Sequence, residues 1–169
     1  MGQKLIARPF PSGAKFALLC PTAATTAVAD RPYIQHMLVR LLYVSVIDPG
    51  LAASDIQRLV ASSRRRNRQL DLTGALLVCD GHFVQVLEGN ESAVADMMAN
   101  VEADTRHRSM QLISREETTR RSFADWDMGF VDEAACNASI HELMDGRMDA
   151  ARFMELMHAW IQDEKEAPY

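Results

Sequence analysis

Long uninterrupted hydrophobic runs are missing from this 169-residue sequence, so no stretch approaches a membrane-spanning helix. Cysteine is scarce. Cys20, Cys79 and Cys136 are odd in number and far apart, which indicates neither a disulfide framework nor a zinc site and makes a reducing compartment the simpler expectation. The five histidines form no HExxH or i, i+4 pair, so a metal centre is not expected. No GxGxxG loop, internal repeat or low-complexity tract stands out. Basic excess is lacking too: the formal charge is -5, which argues against direct nucleic-acid binding.

What remains is ordinary soluble-domain composition, 48% hydrophobic and 24% charged, enough for one domain with a core and extensions. The charge is uneven: +3 over residues 1–36, -2 over 37–131 and -6 over 132–169. Residues 1–36, broken by Pro9, Pro11, Pro21 and Pro32, form an expected weakly structured extension. The apolar stretch Phe16–Cys20 is too short for a signal peptide, and Pro21 cuts it.

From Leu38 the pattern becomes regular. Leu38–Ser45 predicts a strand with Val39, Leu41, Tyr43 and Ser45 on one side. Ser54 with Gln57 has capping-box spacing and opens a helix to about Leu70, whose stripe runs through Ile56, Leu59, Val60, Ser63, Asn67 and Leu70. Thr73–Cys79 is a strand, and Asp80-Gly81 turns it into the next as a hairpin. On that second strand Phe83, Gln85 and Leu87 share a face. Asn90 caps a helix with the stripe Val94, Met97, Met98 and Val101. Residues 104–108 make a basic loop, a strand runs from Met110 to about Ser114, and Trp126–Phe130 is the expected last strand. The order β-α-β-β-α-β with one more strand predicts an α+β, ferredoxin-like mixed sheet with two helices on one face. The strands are apolar on both faces, so the other face needs a cover. A short helix at about 138–145 and an amphipathic helix over 148–164, with Phe153, Met154, Met157, Trp160 and Ile161 on its stripe, supply it.

Two carboxamides, Asn67 and Gln85, fall among apolar residues, where an unpaired amide costs about 1–3 kcal/mol. Each could bond a backbone carbonyl within the core or serve a polar ligand, and strand geometry alone does not choose. With Tyr43 they form a hydrogen-bonding triad without an ionisable group near neutral pH. Hydrolysis wants a nucleophile, base or metal. A flat heterocycle with carbonyls and ring nitrogens suits such a triad better.

Five segments in order and spacing resemble the BLUF family, blue-light sensors using flavin: Leu42-Tyr43-Val44-Ser45; Ser63-Arg64-Arg65-Arg66-Asn67 leading to Asp71-Leu72-Thr73-Gly74; Phe83–Gly89; Asp104–His107; and Trp126–Phe130. The resemblance covers about residues 37–131, the flavin domain, with 132–169 as a C-terminal helical extension. It implies a noncovalent flavin between the two helices, FAD first, with FMN and riboflavin as alternatives. By resemblance, Tyr43 is the photochemical donor, Gln85 bridges it to the flavin, and Asn67 holds the flavin's carbonyl edge. Arg106 and His107 match positions near the ring and ribityl-phosphate side, and Ser45 and Ser63 stand behind them. Trp126 and Met128 match a pair that exchanges places near Gln85 in signalling models. Asp71 stands where the family commonly has Gly, and Arg66 where it often has Asn.

Other readings stay open at this level. The arginines 64, 65, 66 and 68 wrap around a helix and read as a solvated face. The Met-rich tail reads as sheet cover or a dimer surface. A flavin-free interaction module and a small flavin oxidoreductase are the competing classes. After Phe130 too little chain remains for a cyclase or phosphodiesterase. The expectation is therefore a cytoplasmic, non-enzymatic, homo-oligomeric sensor whose output passes through the last strand and C-terminal helices to a separate regulatory protein.

Overall fold

The structure, a computed structural model, describes residues 37–132 and 136–166, with side chains to residue 163. The N-terminal extension, including Cys20, lies outside the described residues. The elements are β1 (Leu38–Ile47), α1 (Ala53–Gln69), β2 (Thr73–Cys79), β3 (His82–Gly89), α2 (Glu91–Glu102), β4 (His107–Thr118), β5 (Gly129–Asp132), α3 (Asn137–Met144) and α4 (Ala150–Glu166). The strands form one sheet in the order β4-β1-β3-β2-β5. All neighbours are antiparallel except β2 and β5, which are parallel. This is the predicted α+β, ferredoxin-like arrangement with an added edge strand.

The hairpin forms where Asp80-Gly81 predicts it. Both turn residues have positive φ, 46° and 72°, as a two-residue turn of this twist requires. The end of α1 is set by Asp71. At φ 51° it occupies the left-handed position after the helix, and the Leu72 N–H returns to the Asn67 carbonyl at 2.8 Å. Glycine is the usual residue for that conformation, so the departure at Asp71 leaves the turn intact.

Alternation along the strands divides the core. Leu42, Val44, Ala75, Leu77, Val84 and Val86 face α3 and α4, packing with Ile140, Leu143, Phe153, Met157 and Ile161. The C-terminal helices therefore cover the sheet's second face, as its two-sided apolar pattern demands. Where α4 crosses β5 the fit is tight: a Cβ built on Gly129 would lie 2.8 Å from Ile161 Cδ1. The α1/α2 face carries two separate apolar clusters, one around Ile56, Val60 and Phe83, the other around Leu41, Leu87, Val94 and Met98. Glu88, fully buried at the end of β3, accepts from Arg40 Nε (2.5 Å) and from the backbone N–H groups of Ser122 (2.8 Å) and Phe123 (2.9 Å). It thus ties the sheet to the loop that leads into β5.

Several local expectations are corrected. Ala52, not Ser54, precedes the first turn of α1, and Asp55 accepts from the Ala52 N–H at 3.1 Å. Leu70 is 38% exposed, and Leu72 takes the buried place instead. β4 begins at His107 and runs to Thr118, longer than predicted, because pairing with β1 continues across two bulges. The last strand starts only at Gly129. A turn from Phe123 to Trp126, closed by the Trp126 N–H to the Phe123 carbonyl at 3.1 Å, holds the preceding residues out of the sheet. The cysteine expectation also fails. Cys79 at the end of β2 and Cys136 before α3 form a disulfide across a separation of 57 residues. Fold proximity, invisible in sequence spacing, brings them together, and the cysteine count gives no support to a reducing compartment. Among the described residues no helix is long and apolar enough to cross a membrane.

Candidate functional site

The gap between the two apolar clusters is an open cleft lined by polar and apolar side chains in about equal measure. Its floor is the sheet face bearing Tyr43, Ser45, Leu76, Phe83 and Gln85; α1 supplies Ser62, Ser63, Arg66 and Asn67, and α2 supplies Met97 and Asn100. Strand register builds the centre. Tyr43 pairs directly with Gln85 across β1 and β3, so their side chains stand side by side on one face. The Tyr43 hydroxyl donates to Gln85 Oε1 at 2.5 Å. That bond turns the other end of the amide, Nε2, toward Met128 Sδ at 4.0 Å.

Tyr43 is buried, and burial, reinforced by the Asp104 charge, holds its pKa well above the ordinary tyrosine value. It is a neutral phenol at physiological pH. Asn67, also buried, donates from Nδ2 to the Asp127 carbonyl at 2.6 Å. Its Oδ1 has no partner among the described residues, and neither do Ser45 Oγ and His107 Nδ1. All three belong to residues that line the cleft. Buried polar atoms are paired in the great majority of folded proteins, so three orphans around one cleft mark a place for a polar ligand. Nothing here resembles a metal cage: among the described residues no cluster of three or more histidine, cysteine or carboxylate ligands exists.

Arg106 and Asp104 meet at the mouth. Asp104 accepts the Arg106 backbone N–H and its Nε, each at 2.9 Å, and the guanidinium holds the carboxyl below the usual range. His107 is edge-on to Phe83, with ring centroids 6.1 Å apart. Burial lowers its pKa; the Asp104 charge and a hydrogen bond to the Val101 backbone oppose that shift, and Arg106 adds to it.

Of the residues singled out from sequence, Tyr43, Ser45, Ser63, Asn67, Gln85, Arg106, His107 and Met128 line this cleft, and Trp126 does not. Trp126 packs among the α3/α4 cluster instead, its ring 4.8 Å from His158 and 5.9 Å from Phe123. The turn at 123–126 is the reason: Trp126 is not yet in the strand, so the alternation that would put it on Met128's face does not apply. Arg66 and Asp104 fall within the matching segments without an assigned role, and sequence reasoning missed Asn100 altogether. Asn100 lies three residues from Met97 on the α2 stripe, a spacing that could have found it. Arg66 looks like any cation of a solvated face until the fold places it.

Comparison with known proteins identifies the family. A family model described as "Sensors of blue-light using FAD" matches residues 38–129. The chain is 30% identical over 92 residues to a photoactivated adenylate cyclase subunit beta of Euglena longa, covering 54% of this chain and 11% of that protein. It is 33% identical over 96 residues to the blue light- and temperature-regulated antirepressor BluF of Escherichia coli, covering 57% of this chain and 24% of the relative. The chain therefore spans only a small part of the curated relatives it matches. Among solved structures, the BLUF protein BlrB in its dark state is 32% identical with a TM-score of 0.65, covering 74% of this chain and 98% of that one. A bacterial light-regulated adenylyl cyclase is 27% identical with a TM-score of 0.58, covering 73% and 40%. In sequence and fold alike, the chain belongs to the BLUF family of blue-light sensors.

Proposed function

We propose that this chain is a blue-light photoreceptor whose cleft holds a noncovalent flavin, FAD first, and that light changes the hydrogen bonds of Gln85. The supporting observation is the set of orphaned polar atoms, Ser45 Oγ, Asn67 Oδ1 and His107 Nδ1, around the bonded Tyr43–Gln85 pair. These residues fit a flavin. A heterocycle edge with carbonyls and ring nitrogens can satisfy amide, hydroxyl and imidazole atoms, and Phe83, Leu76 and Met97 offer apolar contact. When bound, the flavin supplies visible absorption and an oxidising excited state.

The chain's own residues do the rest. Tyr43 keeps its proton on Oη and presents it to Gln85 Oε1. With flavin bound, an electron would pass from Tyr43 to it on excitation and the acidified phenolic proton would follow through Gln85 Oε1; both would return to Tyr43 afterwards, leaving no net redox change. The amide can answer by turning over, so that Nε2 faces Tyr43 and Oε1 faces the cleft, inverting which end donates. In a water-poor site such an inversion is worth more than at the surface, because few competing partners exist. The altered amide then bears on Met128 and the loop ahead of β5, and through that loop on α4. A separate regulatory protein or a second copy of the chain would read the change at the C-terminal helices.

The decisive experiment is a visible spectrum of flavin-loaded protein before and after blue light. Wild type is expected to shift its flavin band to the red and recover in darkness. Gln85→Leu, which keeps the volume but removes both ends of the amide, is expected to bind flavin with no red shift. A shift retained in Gln85→Leu would overturn the bridge role.

A further inference from the structure

Three consecutive backbone carbonyls ahead of β5 are each held by a donor from outside the loop. Trp126 O accepts from the Gly74 N–H of β2 at 3.1 Å. Asp127 O accepts from Asn67 Nδ2 at 2.6 Å, and Met128 O from Arg64 Nε at 3.0 Å. Arg64 and Asn67 lie three residues apart on α1, one above the other on the same side of the helix, so both reach one short segment. Arg68 also touches the loop, but through the Asp127 carboxylate, with Nη2 at 2.6 Å. A bond to a side chain leaves the peptide planes free to turn. Bonds to three successive carbonyls do not.

Fixing those planes fixes the side chains between them. Trp126 is directed to the α4 side and His158, Met128 to the cleft and Gln85 Nε2. The bond from Gly74 is backbone to backbone, just ahead of the β2–β5 pairing that starts at Ala75 and Gly129, and Asn67 also faces the cleft. Arg64, an exposed cation by sequence, has neither role. We infer that Arg64 is a positioning residue: its bond to the Met128 carbonyl completes a three-point clamp that holds the Met128 side chain against Gln85. One of the two readouts below rests on the blue-light reading; the other does not.

The test uses the flavin-loaded full chain, with methionine methyls labelled and the Met128 resonance assigned by Met128→Leu. In the dark, Arg64→Ala is expected to move the Met128 methyl resonance. After illumination, it is expected to change the rate of dark recovery about fivefold, the effect of one hydrogen bond of about 1 kcal/mol. Arg64→Lys, which keeps a charged donor, should return both toward wild type. Arg65→Ala removes a cation from the same turn and should leave both unchanged. A Met128 methyl that stays at its wild-type position in Arg64→Ala overturns the clamp, as does an Arg65→Ala that reproduces the Arg64→Ala shift. If wild type binds flavin but shows no light-induced shift, the sensor reading fails, while the dark methyl spectrum still decides on Arg64.

Discussion

At the residue scale, position within the fold sets each side chain's chemistry. Tyr43 is a neutral phenol because it is buried, and Gln85 is oriented because its strand partner is Tyr43. His107 permits a pH prediction. Its folded pKa is lowered by burial, so as pH falls below its ordinary value of 6.5 the unfolded chain takes the proton first. The stability linked to neutral His107 is therefore full above about pH 6.5 and lost as pH falls below it. Asp104, whose carboxyl is held low, contributes in a separate window at more acidic pH. Urea midpoints measured between pH 7.5 and 5.5 should fall in wild type and fall less in His107→Gln. Equal slopes in the two proteins would remove His107 from the account.

The triad was legible from residues because alternation along a strand and helix spacing both follow the sequence. Tyr43, Gln85 and Asn67 needed only their elements to be recognised. Trp126 was not legible, since its direction depends on a four-residue turn that strand periodicity cannot describe. Asp104 was hidden for a related reason: its role comes from a loop that brings Arg106 back onto it.

At the element scale, the disulfide from Cys79 to Cys136 joins the end of β2 to the start of α3. Closing a separation of 57 residues should stabilise the fold by about 4 kcal/mol in the chain-entropy account. Reduction with a thiol is therefore expected to lower the urea midpoint markedly in wild type and not at all in a Cys79→Ser, Cys136→Ser double variant. Identical midpoints for oxidised and reduced wild type would show that the tether contributes nothing. No spacing rule could have predicted this pair, because two cysteines so far apart become neighbours only once the hairpin and the α3 entry are built. The β2–β3 hairpin is the opposite case: its turn chemistry lies in two adjacent residues, and it forms where they stand.

At the scale of the whole molecule, the sheet lies between two unlike layers. One layer is divided by the open cleft, and the other is a continuous apolar contact with α3 and α4. A chain ending at Asp132 would bare Leu42, Val44, Leu77, Val84 and Val86, a contiguous apolar surface. Such a truncation is expected to bind a hydrophobic dye strongly and to self-associate, measured by dye fluorescence and light scattering. A monomeric, dye-silent product would mean that the C-terminal helices are dispensable cover. The need for that layer was legible in the two-sided apolar strands; which residue of the loop would touch it was not.

The crossing of α4 over Gly129 adds a mechanical consequence. A hydrogen atom stands there in place of a side chain, and a Cβ in its place would crowd the Ile161 Cδ1 at 2.8 Å. With only a hydrogen between them, β5 and α4 approach more closely at this crossing than any larger residue would allow, so a shift of β5 set off at the cleft would be felt first at Ile161.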